Sequence, residues 1–104
     1  MIIYVDIDET ICNNSDDRDY SKATPIIENI RKINNLYESG NNIIYWTARG
    51  TTTGINWEKI TEKQLNNWGV KYHQLKFNKP HYDLFICDKA INSYHFFEDI
   101  NGIK

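Results

Sequence analysis

The stretch that decides the fold is residues 2–10, IIYVDIDET. Residues 2–7 are rich in β-branched and aromatic side chains and end in acids, a pattern typical of a buried strand. Asp6 and Asp8 are two positions apart, and side chains at that spacing in a strand project to the same side, roughly 6–7 Å from each other. Two carboxylates this close raise each other's proton affinity, so one can be ionised while the other holds a proton. The stretch therefore predicts a strand whose end supplies both a nucleophile and a general acid.

Further apolar runs predict more strands, bounded by turn-forming residues. These runs are residues 42–47, 70–77 and 84–87. Residues 9–23 are polar and predict an irregular loop, while the aromatic tail at residues 94–104 fits no single element.

Two amphipathic helices are predicted between the strands. The first has Thr24 as its N-cap and Pro25 in its first turn, and Gly40 ends it. The second helix is closed by Gly69 and carries an apolar stripe made of Trp57, Ile60, Leu65 and Trp68. The alternation of strands and helices predicts one Rossmann-like α/β domain over residues 1–104, with a mostly parallel sheet flanked by helices.

Composition excludes several classes of protein. The 104 residues are 40% hydrophobic, which suits one packed core and is too apolar for a disordered chain. A net charge of −2 argues against a nucleic-acid partner, and no apolar run reaches the length of a membrane span. Cys12 and Cys87 are the only cysteines and have no CxxC spacing, so neither a disulfide scaffold nor a four-ligand zinc site is predicted. An acid follows the first residues too soon for a signal peptide, so we expect a cytoplasmic protein.

Polar residues follow the predicted strands at the end of the sheet where α/β proteins bind ligands. Asp6 and Asp88 follow two of these strands, and together they are able to hold a divalent cation that offsets the charge of a phosphate substrate. Oxygen ligands favour Mg²⁺. Lys79 supplies a fixed positive charge and Thr47 a neutral hydroxyl donor, while free backbone N–H groups past the first two strands add further donors.

Four short motifs resemble those of the haloacid dehalogenase superfamily of phosphotransferases. Residues 6–10, DIDET, match its DxDxT motif, and residues 45–49, YWTAR, resemble its second motif, a strand that ends in Ser or Thr. Residues 79–80, KP, resemble the third motif, and residues 85–92, FICDKAIN, resemble the fourth. The four occur in the family's order over nearly the whole chain, so the resemblance is specific.

The resemblance implies a role for each matching residue. Asp6 is expected to be the nucleophile that forms an aspartyl-phosphate, and Asp8 the general acid and then the base. Thr10 is expected to steady the loop of the first motif. The residues expected to contact the phosphoryl group or the substrate are Thr10, Thr47, Ala48, Arg49 and Lys79.

The resemblance also implies a Mg²⁺ site held by the side chains of Asp6 and Asp88 and by the backbone carbonyl of Asp8. Two positions depart from the family pattern. Cys87 stands where the family often has Gly or Asp, and Asn92 stands where a second acid often follows. Asn92 is expected to orient Asp88 or a metal-bound water without adding charge.

The spacing of the motifs leaves no room for a cap domain, so the chain looks like a capless member of the family. Residues 46–49, WTAR, and residues 88–92, DKAIN, most resemble small capless phosphatases of bacterial capsule and surface-sugar biosynthesis. This implies a small phosphorylated substrate such as a sugar phosphate. An open site needs a cover, which is either a large substrate or a second subunit. A homo-oligomer is therefore one expectation, with contacts from the aromatic tail at Tyr94, Phe96 and Phe97.

Other interpretations remain open at this point. A non-catalytic phosphate- or phosphoprotein-binding module on the same fold is the main alternative, although such proteins typically lose one of the two aspartates that this chain keeps. A response-regulator-like acceptor is disfavoured because its phosphorylated Asp follows the third strand. Arg49 either binds substrate or forms a surface ion pair, and Cys12 is interpreted as a small semi-buried residue.

Overall fold

A short parallel sheet forms the centre of the protein, whose computed structural model describes residues 1–17 and 19–102, with residues 99–102 described by their backbone only. Besides a single 3₁₀ turn at Tyr20–Lys22, the elements in chain order are β1 (Ile2–Val5), β2 (Cys12–Asn13), β3 (Thr24–Pro25), α1 (Ile27–Glu38), β4 (Asn42–Trp46), α2 (Glu58–Asn67), β5 (Gln74–Lys76) and α3 (Ser93–Gly102). The predicted α/β class is confirmed.

The sheet has the order β1-β4-β5, and both of its strand pairs are parallel. In the register of the sheet, Val5 lies beside Tyr45, and Trp46 lies beside Lys76. All three strands therefore end at the same edge, where Asp6 and the residues after β4 and β5 emerge. This edge is the place where the sequence predicts the site.

The core lies between the sheet and the helices. Ile30 and Ile33 of α1 and Leu65 of α2 are buried in one cluster with Ile43 and Tyr45 of β4. Each fully buried aliphatic side chain of this kind contributes roughly 1.5–3 kcal/mol relative to an exposed one. The apolar face of each helix thus holds the helix against the strands that carry the site.

The predicted strand at residues 84–87 is wrong, because the structure has no regular element between β5 and α3. Leu84 is 75% exposed and Ile86 is 88% exposed. The backbone N–H of Lys79 donates to the carbonyl of Thr47 (3.1 Å), so the chain is still at the carboxyl edge of the sheet at this point. Only residues 80–83 remain to return to the opposite edge, whereas a parallel crossover usually needs a dozen residues or more. The apolar composition of residues 84–87 predicted a strand, but the connection through residues 80–83 is too short for that strand to join the sheet in parallel.

The loop before α1 is more ordered than the sequence predicts. Cys12 pairs with Pro25 in the antiparallel β2–β3 ladder, and the N–H of Ile26 donates to the carbonyl of Ile11 (2.8 Å). The helix therefore begins at Ile27 after Ile26, and the prediction of Thr24 as its N-cap is wrong. Pro25 fits the short ladder because a strand at an edge can lack one N–H donor.

Both predicted helix ends are confirmed. Gly40 follows α1 with φ +98°, and Gly69 follows α2 with φ +72°. These left-handed conformations are strained for residues that have a Cβ atom. The aromatic tail forms α3, in which Phe97 is buried in the core while Tyr94 is 72% exposed. The expectation that Phe97 contacts a second subunit is therefore wrong, because its side chain packs inside its own chain.

Within the described part of the chain, no helix is long and apolar enough to cross a membrane.

Candidate active site

A tight turn after β1 sets the geometry of the first motif. The N–H groups of Thr10 and Ile11 both donate to the carbonyl of Ile7 (3.2 and 2.9 Å), and the N–H of Glu9 donates to the carbonyl of Cys12 (2.8 Å). Glu9 has a left-handed φ of 60°, which costs free energy in a residue other than glycine. The turn reverses the chain directly after Asp8, so the aspartate pair stays at the rim of the sheet.

Thr10 is buried within this turn and is 7% exposed. Its carbonyl accepts a hydrogen bond from Asn29 Nδ2 of α1 (3.0 Å). This bond ties the turn to the first helix, in keeping with the expected steadying role of Thr10. The burial of the side chain keeps it away from solvent, where a substrate would arrive.

Asp6 and Lys79 meet at the carboxyl edge of the sheet. Lys79 Nζ lies 3.7 Å from Asp6 Oδ1, and the ammonium also lies over the rings of Trp46 (5.8 Å) and Tyr82 (5.7 Å). The Asp6 side chain is 42% exposed, so it is accessible to an incoming molecule. A carboxylate beside a fixed cation is the arrangement expected for attack on an anionic phosphoryl group.

The pKa of Asp6 is raised above its ordinary value of 3.8, and partial burial is the main cause. The charge of Lys79 and a backbone hydrogen bond at Ile7 act in the opposite direction, while the charge of Asp8 adds to the increase. Sequence reasoning expected the like charge of the neighbouring carboxylate to be the cause of raised proton affinity in this pair. In the structure the pKa of Asp6, the expected nucleophile, is raised, and burial contributes more to this than the charge of Asp8 does.

Asp8 is held by Arg49. The Arg49 Nε donates to Oδ1 (3.2 Å) and Oδ2 (3.1 Å) of Asp8, and Nη2 donates to Oδ1 (2.8 Å). The Arg49 side chain is completely buried, whereas the Asp8 side chain is 21% exposed. Both predicted roles of Arg49, substrate contact and a surface ion pair, differ from this placement. Its guanidinium lies behind Asp8 and away from solvent.

The far side of the guanidinium is held by α2 and by the 3₁₀ turn. Arg49 Nη1 donates to Thr61 Oγ1 (3.0 Å) and to Gln64 Oε1 (2.6 Å). The guanidinium carbon lies 4.8 Å from the ring centroid of Tyr20, and Gln64 Nε2 donates to the Tyr20 carbonyl (2.6 Å). Sequence reasoning missed Thr61, Gln64 and Tyr20 as partners of Arg49.

The sequence contains only a weak signal for two of these partners, Thr61 and Gln64. Thr61 and Gln64 are three residues apart and lie on the inner side of a helix, where polar side chains need partners. The prediction placed Ile60 in the apolar stripe, but Ile60 is 38% exposed and Thr61 is fully buried.

Cys12 packs against the same carboxylate. Its Sγ lies 3.5 Å from Asp8 Oδ1 and 3.6 Å from the carbonyl of Ile7. Burial, together with the charge of Asp8, raises the pKa of the Cys12 thiol to about 12. The group is thus a buried thiol and a poor nucleophile at neutral pH, which agrees with its interpretation as a small packed residue.

Thr47 and Ala48 follow β4 beside Asp6. Thr47 is completely buried, and its Oγ1 accepts a hydrogen bond from the backbone N–H of Arg49 (3.1 Å). The hydroxyl proton of Thr47 is still available for donation, because this bond uses only a lone pair of the oxygen. Ala48 lines the cavity over Asp6.

Two cavities flank the aspartate pair. One measures about 260 Å³, and its lining residues are Asp6, Ala48, Lys79, Pro80, His81 and Tyr82. The other measures about 430 Å³, and its lining residues are Asp8, Glu9, Asn14, Ser15, Asp16 and Tyr20. The two carboxylates thus face different spaces: Asp6 faces a basic and aromatic one, and Asp8 faces a polar and acidic one.

The described residues do not fit the metal centre that the resemblance implies. Among the side chains that the structure describes, those of residues 1–17 and 19–98, no group of three or more from His, Cys, Asp or Glu is placed to hold a metal ion. Asp88 is exposed in the irregular segment before α3, so the expectation that it joins Asp6 and Asp8 is not met. Sequence reasoning relied on a strand at residues 84–87 to bring Asp88 to the edge where Asp6 lies, and the structure has no such strand.

Asn92 has a different role from the one expected. Its Oδ1 accepts a hydrogen bond from the N–H of Tyr94 (2.9 Å), and its carbonyl accepts one from the N–H of Phe96. These bonds are typical of a residue that caps a helix, here at the start of α3.

No family model and no curated protein matches the chain. The fold is similar to the crystal structure of a protein target from Vibrio cholerae, with a TM-score of 0.81 and 25% sequence identity over 97% of this chain and 94% of that chain. The description of that protein states no activity. This likeness supports the α/β fold, with its parallel sheet flanked by helices.

Proposed function

We propose that the protein is a phosphomonoester hydrolase of the haloacid dehalogenase type, in which Asp6 is the nucleophile and Asp8 the general acid and base. The observation that carries this proposal is the placement of Lys79 Nζ 3.7 Å from Asp6 Oδ1, beside a second aspartate that its own arginine holds in place. A partly exposed carboxylate next to a cation suits attack on a phosphate. The four motifs of the sequence point to the same chemistry.

The reaction proceeds in two displacements. In the first, a carboxylate oxygen of Asp6 forms a bond to phosphorus, the bond between phosphorus and the ester oxygen breaks, and Asp8 gives its proton to the departing alcohol. In the second, water attacks phosphorus, Asp8 takes the water proton, and the bond to Asp6 breaks to release inorganic phosphate. Lys79 offsets the charge of the phosphoryl oxygens in both steps. The resemblance also assigns the role of neutral donor to the Thr47 hydroxyl, but Thr47 is fully buried in this structure, so its contact with the phosphoryl group stays a prediction.

The proposed substrate is a small sugar phosphate. In this proposal the phosphoryl group occupies the cavity over Asp6 and Lys79, and the leaving alcohol lies in the cavity over Asp8, next to its proton donor. That second cavity offers carboxylate, amide and hydroxyl groups, which suit the hydroxyls of a neutral polyol. Its acidic residues Glu9 and Asp16 disfavour a leaving group that carries further phosphates.

The requirement for Mg²⁺ is a proposal that rests on the resemblance alone, and none of the steps above passes through the ion. With Asp6, Asp8 and Asp88 as its ligands, it requires the exposed segment that carries Asp88 to take a different position from the one in this structure. We expect a chelator to stop turnover and excess Mg²⁺ to restore it. The variant Asp88→Asn should need more Mg²⁺ for half-maximal activity, and Asp83→Asn is its matched control. Full activity of a metal-stripped sample would remove the ion from the proposal.

The direct test is phosphate release from a panel of sugar phosphates, nucleotides and phosphopeptides. We expect the sugar phosphates to be the best substrates. The near-isosteric change Asp6→Asn should reduce turnover more than about 1,000-fold without loss of the fold, while Asp83→Asn should leave turnover unchanged. Thermal melting of both variants checks that they are folded.

Two outcomes would oppose the proposal. Turnover by a well-folded Asp6→Asn protein close to that of the wild type would exclude Asp6 as the nucleophile. Saturable binding of a phosphorylated ligand without any turnover would favour the alternative, a phosphate-binding module.

A further inference from the structure

Arg49 is the most completely enclosed charged side chain near the site. Its side chain has no exposed surface, and three of its nitrogen atoms donate hydrogen bonds to side-chain oxygens. An unpaired guanidinium at such a place would be very costly, so its position depends on Asp8 on one side and on α2 on the other.

We propose that Arg49 is a positioning residue for proton transfer: it sets the orientation of the Asp8 carboxylate, and Thr61 and Gln64 set the orientation of Arg49. The inference rests on the proposed function, since it assumes that Asp8 moves the proton. It assigns Arg49 a task other than substrate binding, which its burial opposes.

The shape of the guanidinium explains why this position needs arginine. Nε and Nη2 both point at the Asp8 carboxylate, while Nη1 points away from it toward Thr61 and Gln64. One rigid planar group thus spans from the loop of the first motif to α2, and its donors lie in a fixed fork. A lysine ammonium would keep the charge but has no second side with which to reach α2.

The same group connects Asp8 to the loop over the second cavity. Gln64 accepts from Arg49 Nη1 and donates to the carbonyl of Tyr20, whose ring lies against the guanidinium. Tyr20 also lines the cavity where the leaving alcohol is proposed to lie. The orientation of the proton donor and the wall around the leaving group therefore share one set of contacts.

A positioning role is distinguishable from a purely structural ion pair through the leaving group. A nitrophenyl phosphate releases a stable anion that needs no proton, whereas an alkyl phosphate needs a well-placed acid. A variant that misplaces Asp8 should therefore lose kcat/KM selectively on the alkyl ester. A variant that only lowers the amount of correctly folded enzyme should lose the same factor on both esters.

The experiment compares kcat/KM on an alkyl phosphate and on nitrophenyl phosphate. For Arg49→Lys we expect a loss of about 100-fold on the alkyl ester and of less than about 5-fold on the nitrophenyl ester. Asp8→Asn should show the same selectivity with a larger loss. Arg31→Lys, at an exposed arginine of α1, is the matched control and should change neither value.

Two milder variants serve if Arg49→Lys does not fold. Thr61→Val and Gln64→Met each keep the guanidinium but remove one acceptor of its Nη1. Each variant should lower kcat/KM about 5- to 10-fold on the alkyl ester and leave kcat/KM on the nitrophenyl ester unchanged. Equal losses on both esters, or no loss in any folded variant, would overturn the positioning role while leaving the proposed function intact. If Asp6→Asn keeps full turnover, or the wild type hydrolyses neither ester, the proposed function itself fails and the inference fails with it.

Discussion

Asp6 has to be ionised to attack phosphorus, while its burial raises its pKa above the ordinary value of 3.8. The ionised fraction grows as the pH rises through that raised pKa, so kcat/KM should increase with pH along its acid limb. Lys79 lowers the pKa of Asp6. The change Lys79→Met should therefore move the acid limb to higher pH, besides weakening phosphate binding.

The measurement is kcat/KM as a function of pH for the wild type and for Lys79→Met on one substrate, so that titration of the substrate affects both curves equally. Lys76→Met is the control, because this exposed lysine contacts Tyr4 and not the aspartates. An acid limb that stays in place or moves to lower pH in Lys79→Met would contradict the pairing of Lys79 with Asp6.

Single residues also show what the sequence was able to predict about the site. Asp6, Asp8, Thr47 and Lys79 all lie at the predicted edge, since each follows a strand or a connection whose position is readable from local pattern. Arg49 was predicted to be near the site, but its direction was not readable. That direction depends on Thr61 and Gln64, which lie 12 and 15 positions further along the chain and become its partners only when α2 packs.

At the scale of elements, the irregular segment at residues 84–88 makes a prediction about stability. Ile86 is 88% exposed, so Ile86→Asp in the metal-free protein should change the free energy of unfolding by less than about 0.5 kcal/mol. Leu65 is fully buried in the core, and Leu65→Ala should cost about 2–5 kcal/mol. Urea denaturation of the two variants measures both values.

A large decrease in the free energy of unfolding of Ile86→Asp would mean that this segment is packed as a strand, as its composition predicted. Composition and structure lead to different expectations for this segment, and the reason is the length of the connection that precedes it. Composition reports that Leu84, Phe85 and Ile86 are able to form a strand, whereas the few residues after Lys79 limit where such a strand can lie. A local pattern does not contain that constraint.

At the scale of the whole molecule, the third predicted strand covers only residues 74–76 of the expected 70–77, and the strand predicted at 84–87 is absent. The alternation of β1, α1, β4, α2 and β5 was predictable because periodicity and glycine stops are local signals. The β2–β3 ladder was not predictable, because each of its strands has only two residues and so shows no periodic pattern. The role of the tail was also not readable from the sequence. Phe97 of α3 packs into the core, and this contact forms only when the other core residues are in place.

The open site predicts an oligomer. An aspartyl-phosphate is productive only when stray water is excluded, and the cavity over Asp6 is lined by exposed residues such as His81 and Tyr82. The segment that follows these lining residues also has exposed apolar side chains, at Leu84, Phe85 and Ile86. We therefore expect a second copy of the chain to cover this surface.

Sedimentation equilibrium combined with turnover of a small sugar phosphate tests this expectation. An oligomer that hydrolyses the small ester efficiently is the expected result. A strictly monomeric protein with equally efficient turnover would show that neither a subunit nor a large substrate is needed as a cover.

The central claim is that a phosphoryl group passes through Asp6, and the most direct measurement is its capture there. Asp8→Asn should still be phosphorylated by nitrophenyl phosphate, which needs no acid, but should hydrolyse the intermediate slowly because it lacks the base. Rapid mixing should then show a burst of nitrophenol, and peptide mass spectrometry of the quenched protein should find one phosphoryl group on Asp6. Normal steady hydrolysis without a burst, or a phosphoryl group on any other residue, would contradict the claim.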